Sequence, residues 1–338
     1  MYKFHLGIDI SKLTLDGVLL TDGKKESAIH SKVENTPEGI EELFKAYSVV
    51  ADFSLDNCLI CIESTGVYTH PILNYVGSKR AKLWMESGTR IKRSMGIQRG
   101  KNDKIDALRI ATYAFKNQDD VRIWKPTNET IDKLKHLNAL RDRLVDTRKR
   151  LTTPVEEFQQ VGELGFYKLL QKAMKASLQA IDDDITKLDK QMKTLINKDS
   201  SLKELYNLVT SVVGVGVQTA INLLVYTDGF TLFNDARKLA CYAGVAPFEH
   251  SSGSSVRGRT KVSKLANMKL KSILQMAALS AVKYDKQLKE YYEKKLAKGK
   301  SKLSILNAVK NKLIHRVMSV VQRKKKYENS VNFSLVLS

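Results

Sequence analysis

Short apolar runs separated by turn residues fill the first third of the chain. Three of these runs, at residues 2–10, 14–21 and 26–34, have the length and spacing of β-strands. Asp22-Gly23 lies between the second and third runs and is typical of a hairpin turn. An amphipathic pattern then predicts a helix over residues 37–47, with proline at its first position. The chain is therefore predicted to begin with a three-stranded meander followed by a helix.

Strands and helices alternate after this meander. Apolar runs at residues 57–62 and 81–85 predict two further strands, and the segments after them predict helices. The last of these helices starts within residues 101–107 and continues with an apolar repeat. A meander followed by alternating helices and strands is the layout of a ribonuclease-H-like α/β domain. We place this predicted domain at residues 1–126.

The next segment carries a helical repeat. Apolar residues recur at three- and four-residue steps over residues 131–151 and again over residues 178–195. Residues 127–200 are therefore predicted to form a coiled coil or helical hairpin, with a break at Pro154 and Gly162–Gly165. Two uses remain open for this segment. It is either an arm for dimerisation or domain spacing, or an antiparallel pair within one chain.

Residues 201–326 predict a third, mostly helical domain, and residues 327–338 a tail. Gly214-Val215-Gly216 joins two predicted helices, as in a helix-hairpin-helix element, whose backbone N–H groups can hold a DNA phosphate. A plain helical turn explains the same glycines, since glycine is common where helices end. Further helices are predicted at residues 235–242, 265–282, 285–298 and 301–323.

A serine-rich segment lies between two of these helices. Residues 245–261 combine small hydroxyl residues with glycine and cations, and this composition predicts a loop. Cations beside a serine could stabilise its alkoxide and bind a phosphate. A flexible linker has the same composition, and composition alone favours that simpler interpretation.

The charge of the chain indicates a polyanionic partner. Its 57 lysines and arginines against 36 acids give a net charge of +21, which favours DNA or RNA. The cations are spread along the chain, as expected of a long nucleic-acid track, although a structural RNA-binding protein would carry the same charge. The candidate nucleic-acid contacts are Arg99, Lys101, Gly214, Gly216, Arg257, Arg259, Lys261 and Lys264.

Cysteine usage and hydropathy exclude other classes of protein. Three cysteines do not support a disulfide framework, and Cys58 and Cys61 lie in an apolar run that favours core packing over zinc binding. No apolar run approaches the roughly 20 residues of a membrane span, and the first residues do not have the pattern of a signal peptide. We therefore expect a cytoplasmic, nucleoid-associated protein with no membrane partner.

Acids occupy four positions where a site is expected. Asp9 interrupts the apolar first strand and Glu63 follows the run at residues 57–62, and a charge in a buried strand is costly unless paired or metal-bound. Asp103 and Asp106 lie three positions apart and share a helix face, although acids are also ordinary at helix starts. In the predicted topology the carboxylates converge. Their oxygen ligands would suit Mg²⁺ or Mn²⁺ and phosphodiester chemistry.

The segments that carry these residues resemble a known family. They are residues 7–12, 62–68 and 101–107, followed by the C-terminal segments 242–247, 251–253 and 258–267. Together and in this order they look like the sequence blocks of DEDD-type transposases of insertion-sequence family one-hundred-and-ten, which includes related DNA invertases. The chain departs from the family pattern at residues 260–264, where Thr-Lys-Val-Ser-Lys replaces the usual Ile-Ser-Lys.

The resemblance implies both chemistry and partners. The four acids would hold Mg²⁺ or Mn²⁺, and Ser252, beside Ser251, would be the nucleophile that joins covalently to DNA. The expected reaction cuts and rejoins DNA through a phosphoserine. A structured noncoding guide RNA (a bridge RNA) would pair with donor and target DNA, and the protein would work as a homo-oligomer, a dimer or a tetramer. Because the acids and the serine fall in different predicted domains, the working site is expected to form between domains or subunits.

Other functions fit part of the pattern. A metal-dependent junction-resolving endonuclease would keep the acids without the serine, and a site-specific DNA invertase would work without a guide RNA. A sugar-kinase-like ATPase also opens with a strand, an acid and a hairpin, but Ser11-Lys12 stand where a glycine-rich phosphate turn is needed. A non-catalytic nucleic-acid-binding scaffold explains the charge and leaves Asp9 in an apolar strand without a purpose.

Overall fold

The chain divides into two compact units, residues 1–126 and residues 127–338. The first unit contains a five-stranded sheet covered by helices, and the second is mostly helical. Among the described residues, no helix is both long and apolar enough to cross a membrane. The computed structural model describes residues 2–96, 102–126, 128–252, 256–262 and 266–328. The candidate contacts Arg99, Lys101 and Lys264 lie outside the described residues.

The first unit is a mixed α/β structure, as predicted. Its strands are β1 (Phe4–Ile10), β2 (Thr14–Thr21), β3 (Lys24–Glu34), β4 (Cys58–Glu63) and β5 (Lys82–Glu86). Its α-helices are α1 (Pro37–Ser48), α2 (His70–Lys79), α3 (Gly88–Ser94) and α4 (Asp103–Lys116). The strand order is β3-β2-β1-β4-β5, with β1 antiparallel to β2 and parallel to β4. The three-stranded meander is therefore confirmed.

Local sequence determines the turns of this unit. Asp22 and Gly23 have φ angles of 50° and 69°, as the favoured two-residue hairpin turn requires. The side chain of Thr36 accepts a hydrogen bond from the Gly39 amide at 3.1 Å and caps α1, and Pro37 follows at the first helical position. The predicted hairpin and the predicted helix start are both confirmed.

Strand alternation divides the residues of β1 between two layers of helices. Leu6 and Ile8 belong to an apolar cluster with Leu43 of α1 on one face of the sheet. Gly7 and the side chain of Asp9 lie on the other face, where α4 packs. At Gly7 the backbone of α4 comes so close that an added Cβ would overlap backbone atoms of that helix. The absence of a side chain at this position therefore lets α4 lie directly on β1.

We expect Gly7→Ala to lower the free energy of unfolding by about 3 kcal/mol, because the overlapping atoms belong to a helix backbone that cannot rotate away. Urea unfolding measures the change. Gly77→Ala in α2 is the matched control, since an added Cβ there meets nothing within 4 Å and alanine favours helix by up to about 1 kcal/mol. Equal stabilities of the two variants would contradict the close approach of α4 to β1.

The second unit contains eight described α-helices and a two-stranded sheet. The helices are α5 (Glu129–Gln160), α6 (Leu164–Lys198), α7 (Ser200–Thr210), α8 (Val217–Thr227), α9 (Ala236–Tyr242), α10 (Met268–Tyr284), α11 (Lys286–Ala297) and α12 (Lys302–Arg323). The strands are β6 (Pro247–Ser252) and β7 (Val256–Val262), which pair antiparallel.

Helices α5 and α6 form an antiparallel pair within the chain. Arg141 bonds Asp189 at 2.7 Å and Arg148 bonds Asp182 at 2.7 Å, so the two helices run in opposite directions. The predicted break at Pro154 is wrong, because α5 continues through this proline to Gln160. Contacts beyond the proline offset the lost backbone hydrogen bond. The Phe158 ring, for example, lies 5.9 Å from the Phe166 ring of α6.

The predicted loop over residues 245–261 is also wrong, because most of it forms the β6–β7 hairpin. Pro247 pairs with Val262 and Ser252 pairs with Val256. Serine and glycine favoured a linker, but residues 256–262 alternate cations with small or β-branched residues. That alternation has the period of a strand and was the missed signal.

Candidate active site

Two acids lie at the carboxyl ends of neighbouring parallel strands. Ile8 of β1 pairs with Ile62 of β4, so Asp9 and Glu63 each follow a matched position. Both acids alternate with apolar residues that point into the opposite layer, and both therefore point to the face covered by α4. Asp16 of β2 lies directly across from Asp9. Residues 54 positions apart along the chain are thus adjacent on one face because the two strands pair.

The remaining two acids come from the first turn of α4. Asn102 caps this helix by accepting a hydrogen bond from the Ile105 amide at 2.8 Å, which fixes the helix start. Asp103 and Asp106 follow in the first turn. Since α4 packs on β1 at Gly7, its first turn lies over the end of the strand that carries Asp9.

All four predicted acids line a single cavity of about 630 Å³. They come from three elements, β1, β4 and α4, in a unit of 126 residues. The other residues lining the cavity are Thr65, Ile91, Lys92, Met95, Gly96, Arg109 and Ile110. The cavity is therefore rich in carboxylates and also carries two cations.

The carboxylates of the cavity act on one another electrostatically. Burial, followed in order of size by the negative charges of Asp106, Asp103, Glu63 and Asp16, raises the pKa of Asp9 to about 6. A carboxyl group in such surroundings is stabilised by a proton or by a cation. Oxygen donors alone are the ligands that Mg²⁺ and Mn²⁺ prefer. The four acids thus fit a divalent metal ion.

The structure adds cations that the sequence did not single out. Arg109 donates a hydrogen bond from Nη1 to Asp106 Oδ1 at 2.7 Å, and Lys92 lines the same cavity. Lys32 lies 3.3 Å from Asp16 and 3.7 Å from Asp103. The spacing of Arg109, three residues after Asp106 in a predicted helix, was a signal that could have identified it.

A further acid is close to Glu63 but is occupied by other partners. Glu86 of β5 is the register partner of Glu63. Its carboxylate accepts hydrogen bonds from Arg90 at 3.2 Å, from the Ser87 amide at 2.8 Å and from the Tyr113 hydroxyl at 3.3 Å. These bonds connect the end of β5 to α3 and α4. Glu86 therefore contributes to positioning the two helices around the cavity.

The Glu63 carboxylate lies against the first residue of α3. A Cβ added at Gly88 would overlap this carboxylate, so we expect Gly88→Ala to displace it and to lower the activity of the site by about 100-fold. The free energy of unfolding should change by less than about 1 kcal/mol, because the end of a flexible side chain can move. Reaction kinetics and urea unfolding measure the two effects, with Gly77→Ala as the control. Full activity in Gly88→Ala would show that the position of Glu63 does not matter.

The other sequence candidates belong to the second unit. Ser252 is the last residue of β6, and Arg257, Arg259 and Lys261 belong to β7. The structure describes their backbone positions, whereas their side chains lie outside what it describes. Residues 253–255, which separate β6 from β7 in the sequence, lie outside the described residues.

The two glycine candidates have different surroundings. Gly214 has a φ angle of 95°, and an added Cβ would lie 2.7 Å from the Ala277 carbonyl oxygen of α10. This glycine is therefore required by close packing. Gly216 is exposed, an added Cβ there would meet nothing within 4 Å, and it precedes α8 as the cap residue. Gly216 is the better placed of the two to contact a partner.

Two family profiles match the chain and together span more than two thirds of it. The profile described as "Transposase IS116/IS110/IS902 family" matches residues 206–293. The DEDD-type IS110 profile, described as "Transposase", matches residues 6–158. The second range contains all four acids of the cavity, and the first contains Ser252.

Curated relatives agree with the profiles. The chain is 27% identical over 337 residues to the pilin gene-inverting protein of Moraxella lacunata, covering 98% of the chain and 100% of that protein. It is 32% identical over 137 residues to an IS110 protein of Streptomyces coelicolor, covering 40% of the chain and 33% of that protein. It is 24% identical over 255 residues to the transposase for insertion sequence element IS1111A of Coxiella burnetii, covering 68% of the chain and 69% of that protein.

These matches extend over both units, and the range matched by the DEDD-type profile includes the four acids that line the cavity of the first unit. The DEDD type of the matched profile implies a dependence on a divalent metal ion. The chain belongs to the IS116/IS110/IS902 family of transposases and is an enzyme of DNA recombination.

Proposed function

We propose that the chain is a DNA transposase or site-specific recombinase that cuts and rejoins DNA with a carboxylate metal site and a serine nucleophile. A structured noncoding RNA guides it to donor and target DNA. The observation that carries the proposal is the single cavity lined by Asp9, Glu63, Asp103 and Asp106 in a chain of a transposase family.

The four acids are the proposed ligands of Mg²⁺ or Mn²⁺. When bound there, such ions would supply activation of the attacking oxygen and stabilisation of the leaving oxygen in a phosphodiester displacement. The chain itself holds the acids at fixed positions on β1, β4 and α4. Arg109 and Lys92, which line the same cavity, suit the non-bridging oxygens of the phosphate.

Ser252 is the proposed nucleophile. Its hydroxyl oxygen attacks a DNA phosphorus and loses its proton to solvent, while the bond from phosphorus to the 3′ oxygen breaks and that oxygen leaves as a hydroxyl. The phosphoserine keeps the energy of the phosphodiester, so no nucleotide cofactor is needed. A 3′ hydroxyl from another strand then displaces the serine and reseals the DNA. The position of Ser252 as the last residue of β6, within the matched range of the transposase profile, supports this role.

The finer features of the fold support the same assignment. The strand order β3-β2-β1-β4-β5 supports a ribonuclease-H-like catalytic domain over residues 1–126. The α5–α6 pair supports a coiled-coil arm within residues 127–200, and the turn between α7 and α8 supports a helix-hairpin-helix-like element. Residues 201–326 then form the C-terminal transposase domain, followed by a tail.

The proposed partners are donor and target DNA, a guide RNA and further copies of the chain. A net charge of +21 exceeds what one short duplex contact needs and suits a protein that holds RNA and DNA together. A homodimer or homotetramer would bring two DNA partners together for strand exchange.

Site-specific DNA inversion without a guide RNA is the second candidate function. The specific observation in its favour is the alignment with the pilin gene-inverting protein, which spans 100% of that relative. The chemistry of the acids and the serine would be the same. The two candidates differ in whether an RNA selects the DNA sites.

The purified chain, with the nucleic acid that accompanies it, tests these functions. We expect sequencing to find one enriched, folded noncoding RNA encoded beside the gene, and we expect strand joining on plasmids that carry the flanking DNA only when this RNA and Mg²⁺ are present. Joining that survives ribonuclease treatment would favour inversion without RNA. Absence of joining on every flanking substrate, with and without RNA, would contradict both candidates.

A further inference from the structure

A buried lysine lies at the base of the β6–β7 hairpin. Lys310 belongs to α12 and is 5% exposed, which is unusual for an ammonium group without a carboxylate partner. The described residues provide no hydrogen bond or ion pair to its side chain. Burying an unpaired charge destabilises a fold, so the position favours an anion that the described residues do not supply.

Asn307 locates this lysine relative to the hairpin. Asn307, one helical turn before Lys310, donates a hydrogen bond to the Val245 carbonyl oxygen at 2.9 Å. Val245 is two residues before the start of β6 at Pro247. Lys310 therefore lies one turn along α12 from the point where the hairpin leaves the helices.

A second lysine occupies the matching position on α10. Asn267 donates a hydrogen bond to the Tyr242 hydroxyl at 3.0 Å, and its amide bonds the Tyr242 carbonyl oxygen at 2.7 Å. Lys271 follows one turn later on α10, which packs against α12. Burial lowers the pKa of Lys310, and the positive charge of Lys271 lowers it further. Two helices thus hold the segment before β6 through asparagines, and each carries a lysine one turn beyond.

We propose that Lys310 and Lys271 form an anion site at the foot of the β6–β7 hairpin and that this site takes a backbone phosphate of the nucleic-acid substrate. Two lysines on packed helices favour phosphate as the ligand. The hydrogen bonds of Asn307 and Asn267 hold the segment before β6 one helical turn away from these lysines. Its assignment to a nucleic acid rests on the function proposed above. A phosphate held there would fix the substrate backbone next to the strand that ends at Ser252.

Inorganic phosphate tests the site without any recombination assay. In buffers of equal ionic strength, replacing chloride by phosphate should raise the melting temperature of the wild type, and Lys310→Met should lose at least half of that rise. Lys312→Met is the matched control, because it removes one exposed lysine from the same helix and should keep the full rise. Equal rises in the two variants would overturn the proposal.

Binding of nucleic acids identifies the source of the phosphate. Relative to Lys312→Met, Lys310→Met should weaken binding of a duplex DNA, of the co-purified RNA or of both by about 10-fold. The slope of log affinity against log salt concentration should become less steep by about one. A loss confined to DNA assigns the site to DNA, and a loss confined to RNA assigns it to the guide. Wild-type affinity for both ligands would overturn the assignment to nucleic acid. Asp9→Asn should keep the full phosphate response of the wild type. Retained activity in Asp9→Asn would then be a failure of the catalytic account alone, and equal phosphate responses in Lys310→Met and Lys312→Met would be a failure of the anion site alone.

Discussion

Replacing Asp9 by asparagine will abolish DNA cleavage and raise the melting temperature of the metal-free protein. Loss of one proposed metal ligand should lower the cleavage rate by about 10³-fold or more. The pKa of about 6, against an ordinary 3.8, corresponds to about 3 kcal/mol of unfavourable ionisation, and solvent screening of this half-buried group reduces it to roughly 1 kcal/mol. The melting temperature in chelator should therefore rise by about 2–4 °C.

The rise in melting temperature expected for Asp9→Asn should depend on pH in one direction. Because the folded pKa of Asp9 lies above the ordinary value, the fold favours the protonated acid. That contribution to stability is complete below about pH 4 and is lost as the pH rises through about 6. Asparagine does not ionise, so the advantage of Asp9→Asn should be absent at pH 4 and complete above pH 6. Thermal melts across this range, in chelator, measure it.

Asp16→Asn is the matched control for Asp9→Asn. Asp16 lies across the strand pair from Asp9, but its carboxylate bonds His30 at 2.8 Å and Lys32 at 3.3 Å. The replacement should lower the melting temperature, because asparagine has no negative charge and offers His30 and Lys32 one oxygen acceptor instead of two. An equal rise in both variants would mean that any acid removed from these strands stabilises the unit, and the interpretation of Asp9 would then be wrong.

Replacing Ser252 by alanine will abolish the covalent protein–DNA adduct and recombination while the fold survives. Alanine removes the proposed nucleophilic oxygen and leaves the strand pairing of Ser252 with Val256 unchanged, since backbone groups make that pairing. End-labelled DNA that carries the flanking sequences, run on a denaturing gel after protease-free quenching, detects the adduct. The melting temperature should stay within about 2 °C of the wild type, as expected for a change of less than about 1 kcal/mol.

Ser251→Ala is the neighbouring control for the nucleophile. It removes the same hydroxyl group one residue earlier in β6 and should retain the adduct. If Ser251→Ala loses the adduct and Ser252→Ala keeps it, the nucleophile is Ser251. If both variants form the adduct, no serine at the end of β6 carries the chemistry.

The sequence identified the acids of the cavity because each breaks a local pattern. Asp9 interrupts an apolar strand, Glu63 ends another, and Asp103 and Asp106 are spaced to share a helix face. These signals are local, but acids are also ordinary at helix starts, and the predicted strand order together with the family resemblance was needed to assign the four to one site. Gly7 had no local signal of its importance, because its role depends on the packing of α4, which is distant in sequence.

The errors in the second unit arise from packing that overrode local tendencies. Pro154 signals a helix break in any isolated segment, yet contacts with α6 carry α5 past it. Serine and glycine content pointed to a loop, whereas strand pairing organises β6 and β7. The sequence analysis did not single out Lys310, because only the packing of α12 shows that this lysine is buried.

Binding of Mn²⁺ tests the central claim most directly, because it asks whether the four acids form one metal site. Titration followed by the magnetic resonance signal of free Mn²⁺ should show saturable binding to the wild type and to Asp16→Asn. Asp9→Asn and Asp103→Asn, which change acids on different elements, should each lose that binding. Saturable binding that is equal in all four proteins would contradict a metal site built from β1, β4 and α4.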